Sequence, residues 1–183
     1  TPAVENAGTI DAGGGTALLA AGDMFAALAI RNTGTVAASD ITLEAGDGTT
    51  VHAGGTLDAS NPGGVGGNIR ILGDRVGLFD ATVNASGSTG GGEVLIGGDF
   101  QGNGDVRNAS RTYVSEGSSI FADAMTQGDG GTVIVWSDEV TRFLGSLSAT
   151  GGSSGGDGGF AEVSGKQSLG LYGAIDLSAV AGD

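Results

Sequence analysis

Aspartates recur at one place in a repeated pattern. Counting five residues on from Leu18, Ile69, Val94 and Val133, each near the start of a short apolar run, reaches Asp23, Asp74, Asp99 and Asp138. In the run opening at Ile41 the step is one residue longer and ends at Asp47, and in the run opening at Ala161 the position holds Lys166. Carboxylates stacked in one column offer oxygen ligands to a hard cation such as Ca²⁺, with Asp74, Asp99 and Asp138 as the candidate metal ligands. The same column suits a polysaccharide-cleaving cleft that uses such a metal, and Arg75 beside Asp74 is the one adjacent base. A structural reading competes: an aspartate at a corner closes an Asx turn by accepting nearby backbone N–H groups. The Gly or Ser preceding each copy favours the turn. Like charges one repeat apart lower stability unless an ion or Lys166 relieves them.

Other chemistry is thinly represented. Two Gly-Asp-Gly strings, Gly128–Gly131 and Gly155–Gly159, resemble parts of a calcium-binding nonapeptide, but they lie 27 residues apart and not in tandem. His52 is the single histidine and cysteine is absent, which leaves no partner for a transition-metal site and no triad that avoids His52. His52 is expected to be solvated in a Gly/Thr-rich corner. Facing carboxylate pairs for glycoside hydrolysis cannot be singled out in a chain with 21 acidic residues. Trp136 has an outward parity, so it either stacks on a sugar ring or lies under a covering segment, and covering is the expectation. Outward Thr and Ser positions are too irregular for a flat ice-binding array. The chain is therefore not expected to be an enzyme, and no cofactor is expected beyond Ca²⁺.

The elements that position these residues are strands. Seven short runs end in alanine or its equivalent: Ile10–Ala12, Val36–Ala38, Leu57–Ala59, Val83–Ala85, Ile120–Ala122, Leu147–Ala149 and Ile175–Leu177. Their spacings are 26, 21, 26, 37, 27 and 28 residues. Side chains alternate across a strand, so the Ile, Val or Leu and the Ala point inward and the residue between them outward. A second set repeats with them: Leu18–Ala20, Ile41–Leu43, Ile69–Ile71, Val94–Ile96, Val133–Val135 and Ala161–Val163. A third apolar piece closes each unit, clearest in Arg75–Phe79 and Leu169–Tyr172. Three short strands per unit predict an all-β fold, a roughly triangular parallel β-helix of about seven coils and about 35 Å length. Glycine, at 39 residues, suits corners that need positive φ, and its spread leaves no window for an amphipathic helix. The 37-residue spacing predicts an excursion over about residues 101–119, either a projecting binding loop or, preferably, an extra β-segment (Thr112–Val114) lying flat on the rod.

One domain accounts for residues 1–183. A net charge of −14 argues against nucleic acid, and the seven basic residues, Arg31, Arg70, Arg75, Arg107, Arg111, Arg142 and Lys166, look scattered in sequence. The sequence contains no signal peptide and no run of 18 apolar residues. Both ends fall mid-pattern, so the expectation is a piece of a longer chain.

Three stretches carry a family likeness: GGNIRILGDRVGL (66–78), GDGGTVIVWSDEVTRFLG (128–145) and GGDGGFAEVSGK (155–166). Together they resemble the repeat body of filamentous-haemagglutinin-like exoproteins of the two-partner secretion route. The resemblance covers about residues 55–177 and is general over residues 1–54. It implies a right-handed parallel β-helix, export through an outer-membrane secretion pore, and an extracellular or cell-surface location. The family's secretion domain is expected to be absent, because its Asn-rich signature is missing, and no catalytic residue carries over. The leading expectation is a structural and adhesive rod whose partners are host or matrix glycans or proteins. The alternatives are a polysaccharide-binding or polysaccharide-cleaving β-helix, and a filament subunit that self-associates end to end.

Overall fold

A computed structural model describes residues 1–22 and 27–182. Its strands form three parallel, stacked walls. Wall one holds β1 (Val4–Asn6), β3 (Leu28–Asn32), the first parts of β5 (Thr50–Asp58) and β7 (Arg75–Asn84), then β9 (Arg111–Val114), β12 (Val140–Phe143) and β15 (Ser168–Leu171). Wall two holds the first parts of β2 (Thr9–Ala21) and β4 (Thr35–Ala45), the second parts of β5 and β7, then β10 (Ser119–Phe121), β13 (Ser146–Ser148) and β16 (Ala174–Asp176). Wall three holds the ends of β2 and β4, then β6 (Asn68–Leu72), β8 (Glu93–Ile96), β11 (Thr132–Val135) and β14 (Phe160–Val163). The chain visits wall one, then two, then three. It makes six complete coils and two strands of a seventh among the described residues. This is the predicted parallel β-helix.

The alanine-ended strands stack as their spacing requires. Ile10, Val36, Leu57, Val83, Ile120, Leu147 and Ile175 are successive register partners on wall two. Ala38, Ala59, Ala85, Ala122 and Ala149 beside them are buried. Wall three follows its predicted register except in the first coil, where Ala17, not Leu18, pairs with Ile41. Leu18 is consequently 62% exposed and Ala17 and Leu19 point inward. The run Ala17–Ala20 is apolar throughout, so alternation cannot choose its register. Irregular pairing between Asp11 and Thr16 chooses it instead.

The extra residues of the long unit also sit elsewhere than predicted. Arg111–Val114 is the regular wall-one strand of its coil, in register with both Arg75–Leu78 and Val140–Phe143. Ser119–Phe121 is the wall-two strand. The irregular segment is 97–110, between walls three and one, with a short 3₁₀ turn at Phe100–Gly102. It is a strap and not a projecting loop. Arg107 reaches back to the Ala45 carbonyl and the Asp47 carboxylate, both at 2.8 Å, while the Gln101 N–H donates to Glu162 at 2.9 Å. A unit's length alone does not say on which side of a strand its surplus lies.

Corner glycines serve a purpose different from the expected positive φ at most positions. Gly67, Gly92, Gly131 and Gly159 form a column between walls two and three. A Cβ on each would strike the carbonyl oxygen of Ser39, Gly67, Gly92 and Gly131 respectively, one coil below. The same carbonyls accept ladder hydrogen bonds, as from Glu93 N–H to Gly67 at 3.1 Å and Thr132 N–H to Gly92 at 2.9 Å. Close backbone approach therefore demands glycine here, and positive φ is needed only at others such as Gly55 (φ 63°). Gly92→Ala is expected to destabilise the fold by about 1–3 kcal/mol in urea denaturation, through overpacking against backbone. Gly14→Ala, whose Cβ meets nothing closer than 4.0 Å, should stay within about 0.5 kcal/mol.

Candidate functional site

The most developed surface feature lies on wall one. Outward positions alternate along each wall-one strand, so two columns face solvent. One carries Thr50, Arg75, Arg111, Val140 and Ser168, and the other Glu5, Arg31, His52, Gly77, Tyr113, Arg142 and Gly170. Four of the arginines that look scattered in sequence thus share one face.

Two glycines in the second column are filled from two residues on. The Phe79 ring lies over Gly77 and the Tyr172 ring over Gly170, each where a Cβ would otherwise project. Phe79 stacks on His52 with ring centroids 4.5 Å apart and 14° between planes, and lies 5.4 Å from Tyr113. A continuous aromatic strip results, where offset stacking adds to area burial. His52 is therefore not a solvated corner residue. It sits mid-strand, and partial burial, then the nearby Arg31 charge, lowers its pKa from the ordinary value of 6.5.

Around Phe79 and Tyr113 the wall is hollowed into a groove of about 510 Å³. Arg75, Arg111 and Arg142 line it with these rings. Arg75 Nε lies 3.5 Å from Asp74 and Arg111 Nε 3.2 Å from Glu139, and the arginine of each pair is exposed. Among the described residues Arg142 makes no ion pair.

The predicted aspartate column does not assemble. Asp74 sits at the corner leading into wall one, level with Ser110, whose N–H donates to its carbonyl at 2.7 Å. Asp138 sits level with Ala109, to whose carbonyl its N–H donates at 2.8 Å. Asp99 begins the strap and caps its 3₁₀ turn, accepting from Phe100 N–H at 2.6 Å. The inserted strap displaces Asp99 from the corner that Asp74 and Asp138 flank. Asp47 is engaged by Arg107, and Asp23 lies outside the described residues. Among the described residues no three His, Asp or Glu side chains gather where a metal ion could sit. In the Gly-Asp-Gly strings, Asp129 accepts from the Asp157 N–H at 2.8 Å, tying one coil to the next.

Asx turns do recur, at the opposite corner. Asp11, Asp58, Asn84 and Asp176, the middle residues of wall-two strands, accept from the N–H two residues on at 2.8–3.0 Å. The Ser178 backbone and side chain hold the Asp176 pKa below its ordinary value. The signal was in the sequence: four of the seven middle residues are Asp or Asn.

Trp136 is covered, as its parity and the expected excursion suggested. With Leu95 and Ile134 it forms a small second core between wall three and the strap, against Val106. Its indole Nε1 donates to Asp138 at 3.2 Å, and Asn108 of the strap also reaches that carboxylate. Gly98 and Gly102 leave room for the ring. Apolar residues at two consecutive outward positions, Leu95 and Ile134, were the signal for this cover.

No protein-family model matches the chain, and no curated protein matches it. Among solved structures, the crystal structure of the HMW1 secretion domain from Haemophilus influenzae is similar, with a TM-score of 0.79 and 30% identity over 98% of this chain. The chain spans 49% of that structure's chain, about half its length. Coverage of that extent takes in residues 1–54, where the sequence likeness to the exoproteins was only general. The relation shown is to the β-helix of a secretion domain, and not specifically to the repeat body that the sequence motifs pointed to.

Two outcomes test these local accounts. Asp138→Ala should shift the emission of the single tryptophan to the red and cost about 1 kcal/mol in denaturation, because the strap loses its link to the indole. For His52 the folded state disfavours the proton, so its stabilising effect is complete above the unfolded value near 6.5 and is lost as pH falls through the lower folded value. Denaturation midpoints should therefore decline on acidification below about pH 6.5 by more in the native chain than in His52→Gln.

Proposed function

We propose that the chain is a β-helical segment of a secreted bacterial surface protein, exported through a dedicated outer-membrane pore by the two-partner route and serving as a rigid rod for adhesion or display. The observation that supports this reading best is the likeness to a secretion domain along 98% of the chain at 30% identity. The architecture suits the route. Each coil contacts chiefly its neighbours, so a chain emerging end first can add coils to those already formed. The absence of cysteine leaves no disulfide to lock a partly folded chain before export. A net charge of −14 keeps the emerging chain soluble.

Expression behind a signal peptide, with and without an outer-membrane pore of the two-partner class, tests the export reading. The chain should reach the medium or cell surface only with the pore, and it should bind the pore's periplasmic region when purified. Retention in the periplasm together with absence of that binding would overturn it.

A further inference from the structure

We infer that the wall-one groove is a binding site for an acidic oligosaccharide, one built of uronate sugars. The inference goes beyond the rod reading and does not rest on it, since the groove exists whatever route the chain takes.

Charge is the first argument. The chain carries −14 overall, yet within the wall-one strands the outward positions hold Arg31, Arg75, Arg111 and Arg142 against a single carboxylate, Glu5. Asp74 and Glu139 at the nearby corner answer Arg75 and Arg111. Those exposed pairs are weak in water, so a ligand carboxylate can exchange with either at small cost. Arg142 needs no exchange, being without an ion-pair partner among the described residues.

Shape separates a glycan from other anions. Phe79, 40% exposed, and Tyr113 place apolar ring surface among the guanidinium groups that line the groove. A pyranose has an apolar face of C–H groups that packs against such ring surface, and a uronate carries its carboxylate at the ring edge, within reach of an arginine fork. Successive coils lie about 4.8 Å apart, a step comparable to one sugar ring, so Arg75 and Arg111 recur at a spacing that follows a chain running along the rod. An acidic peptide has the charge and lacks the flat apolar face. Nucleic acid would need more unpaired cations than this face supplies. Asp80 and Glu116 follow the wall-one strands at the far corner, which confines the favourable charge to the groove itself.

Calorimetric titration of the purified chain with oligogalacturonate, maltohexaose and a poly-glutamate peptide tests the inference. Oligogalacturonate should bind, with affinity falling as salt rises, and the other two should not. Arg142→Gln should weaken binding about tenfold, the loss of one charge-assisted contact. Tyr113→Leu should also weaken it while the chain still folds and melts in one cooperative transition, and Arg70→Gln on wall three should bind as the native chain does. No binding of oligogalacturonate, equal binding of the peptide, or an unchanged affinity in Arg142→Gln would each overturn the inference.

Discussion

Everything in this molecule depends on one constraint: the backbone of each coil must approach the coils above and below closely enough to hydrogen-bond along the rod. Where the corner turns between walls two and three, that approach leaves no volume for a side chain, and Gly67, Gly92, Gly131 and Gly159 answer it. Burial follows from the same stacking. Ile120 and Ile175 occupy one column on wall two, yet Ile120 is fully buried and Ile175, in the last described coil, is 39% exposed. Hydrophobic stabilisation in a solenoid is thus a property of neighbouring coils and not of any coil alone.

The three walls share an interior and differ outside. Wall two carries the alanine column and is edged by Asx turns, so its polar groups are spent on local backbone. Wall three is partly roofed by the strap, which runs from Asp47 to Glu162 and buries Trp136 under it. One buried acceptor, Asn108 Oδ1, is left without a partner among the described residues by this packing. Wall one is left open, and it is there that arginines and stacked rings collect. An inward pattern fixed by stacking leaves the outward positions free to differ, which is how one scaffold comes to have three unlike faces.

The inward pattern was legible in the sequence because it is periodic. The register of wall two could be read from the Ile/Val/Leu positions in every copy, and from the alanines in all but the first, where Gly13 and not Ala12 pairs with Ala38. Five of the six copies on wall three were legible likewise. What failed to show were features that depend on what lies across a coil boundary. The first wall-three strand slipped by one because Ala17–Ala20 has no polar residue to mark its outward side. Asp99 counted as a column member because counting along the chain cannot see that a strap leaves the corner at Gly97. Arg75, Arg111 and Arg142 looked scattered because the 36-residue spacing between the first two includes that strap, while the 31-residue spacing between the last two includes a step of two residues from one outward column to the other. Only the register of β7, β9 and β12 reveals that they share a face.

The fate of the aspartates argues against treating acidity here as a site. Asp11, Asp58 and Asp176 close turns, Asp99 caps one, Asp129 joins two coils, Asp47 anchors the strap and Asp138 holds an indole and an amide. A carboxylate already accepting backbone or side-chain hydrogen bonds must give them up, or share its remaining lone pairs, to ligate a cation. These anions are also spread over different corners, so no single ion could neutralise several of them. Acidity in this rod is a by-product of how its corners are built and held together, and among the described residues it is the outward positions of wall one where arginines gather instead.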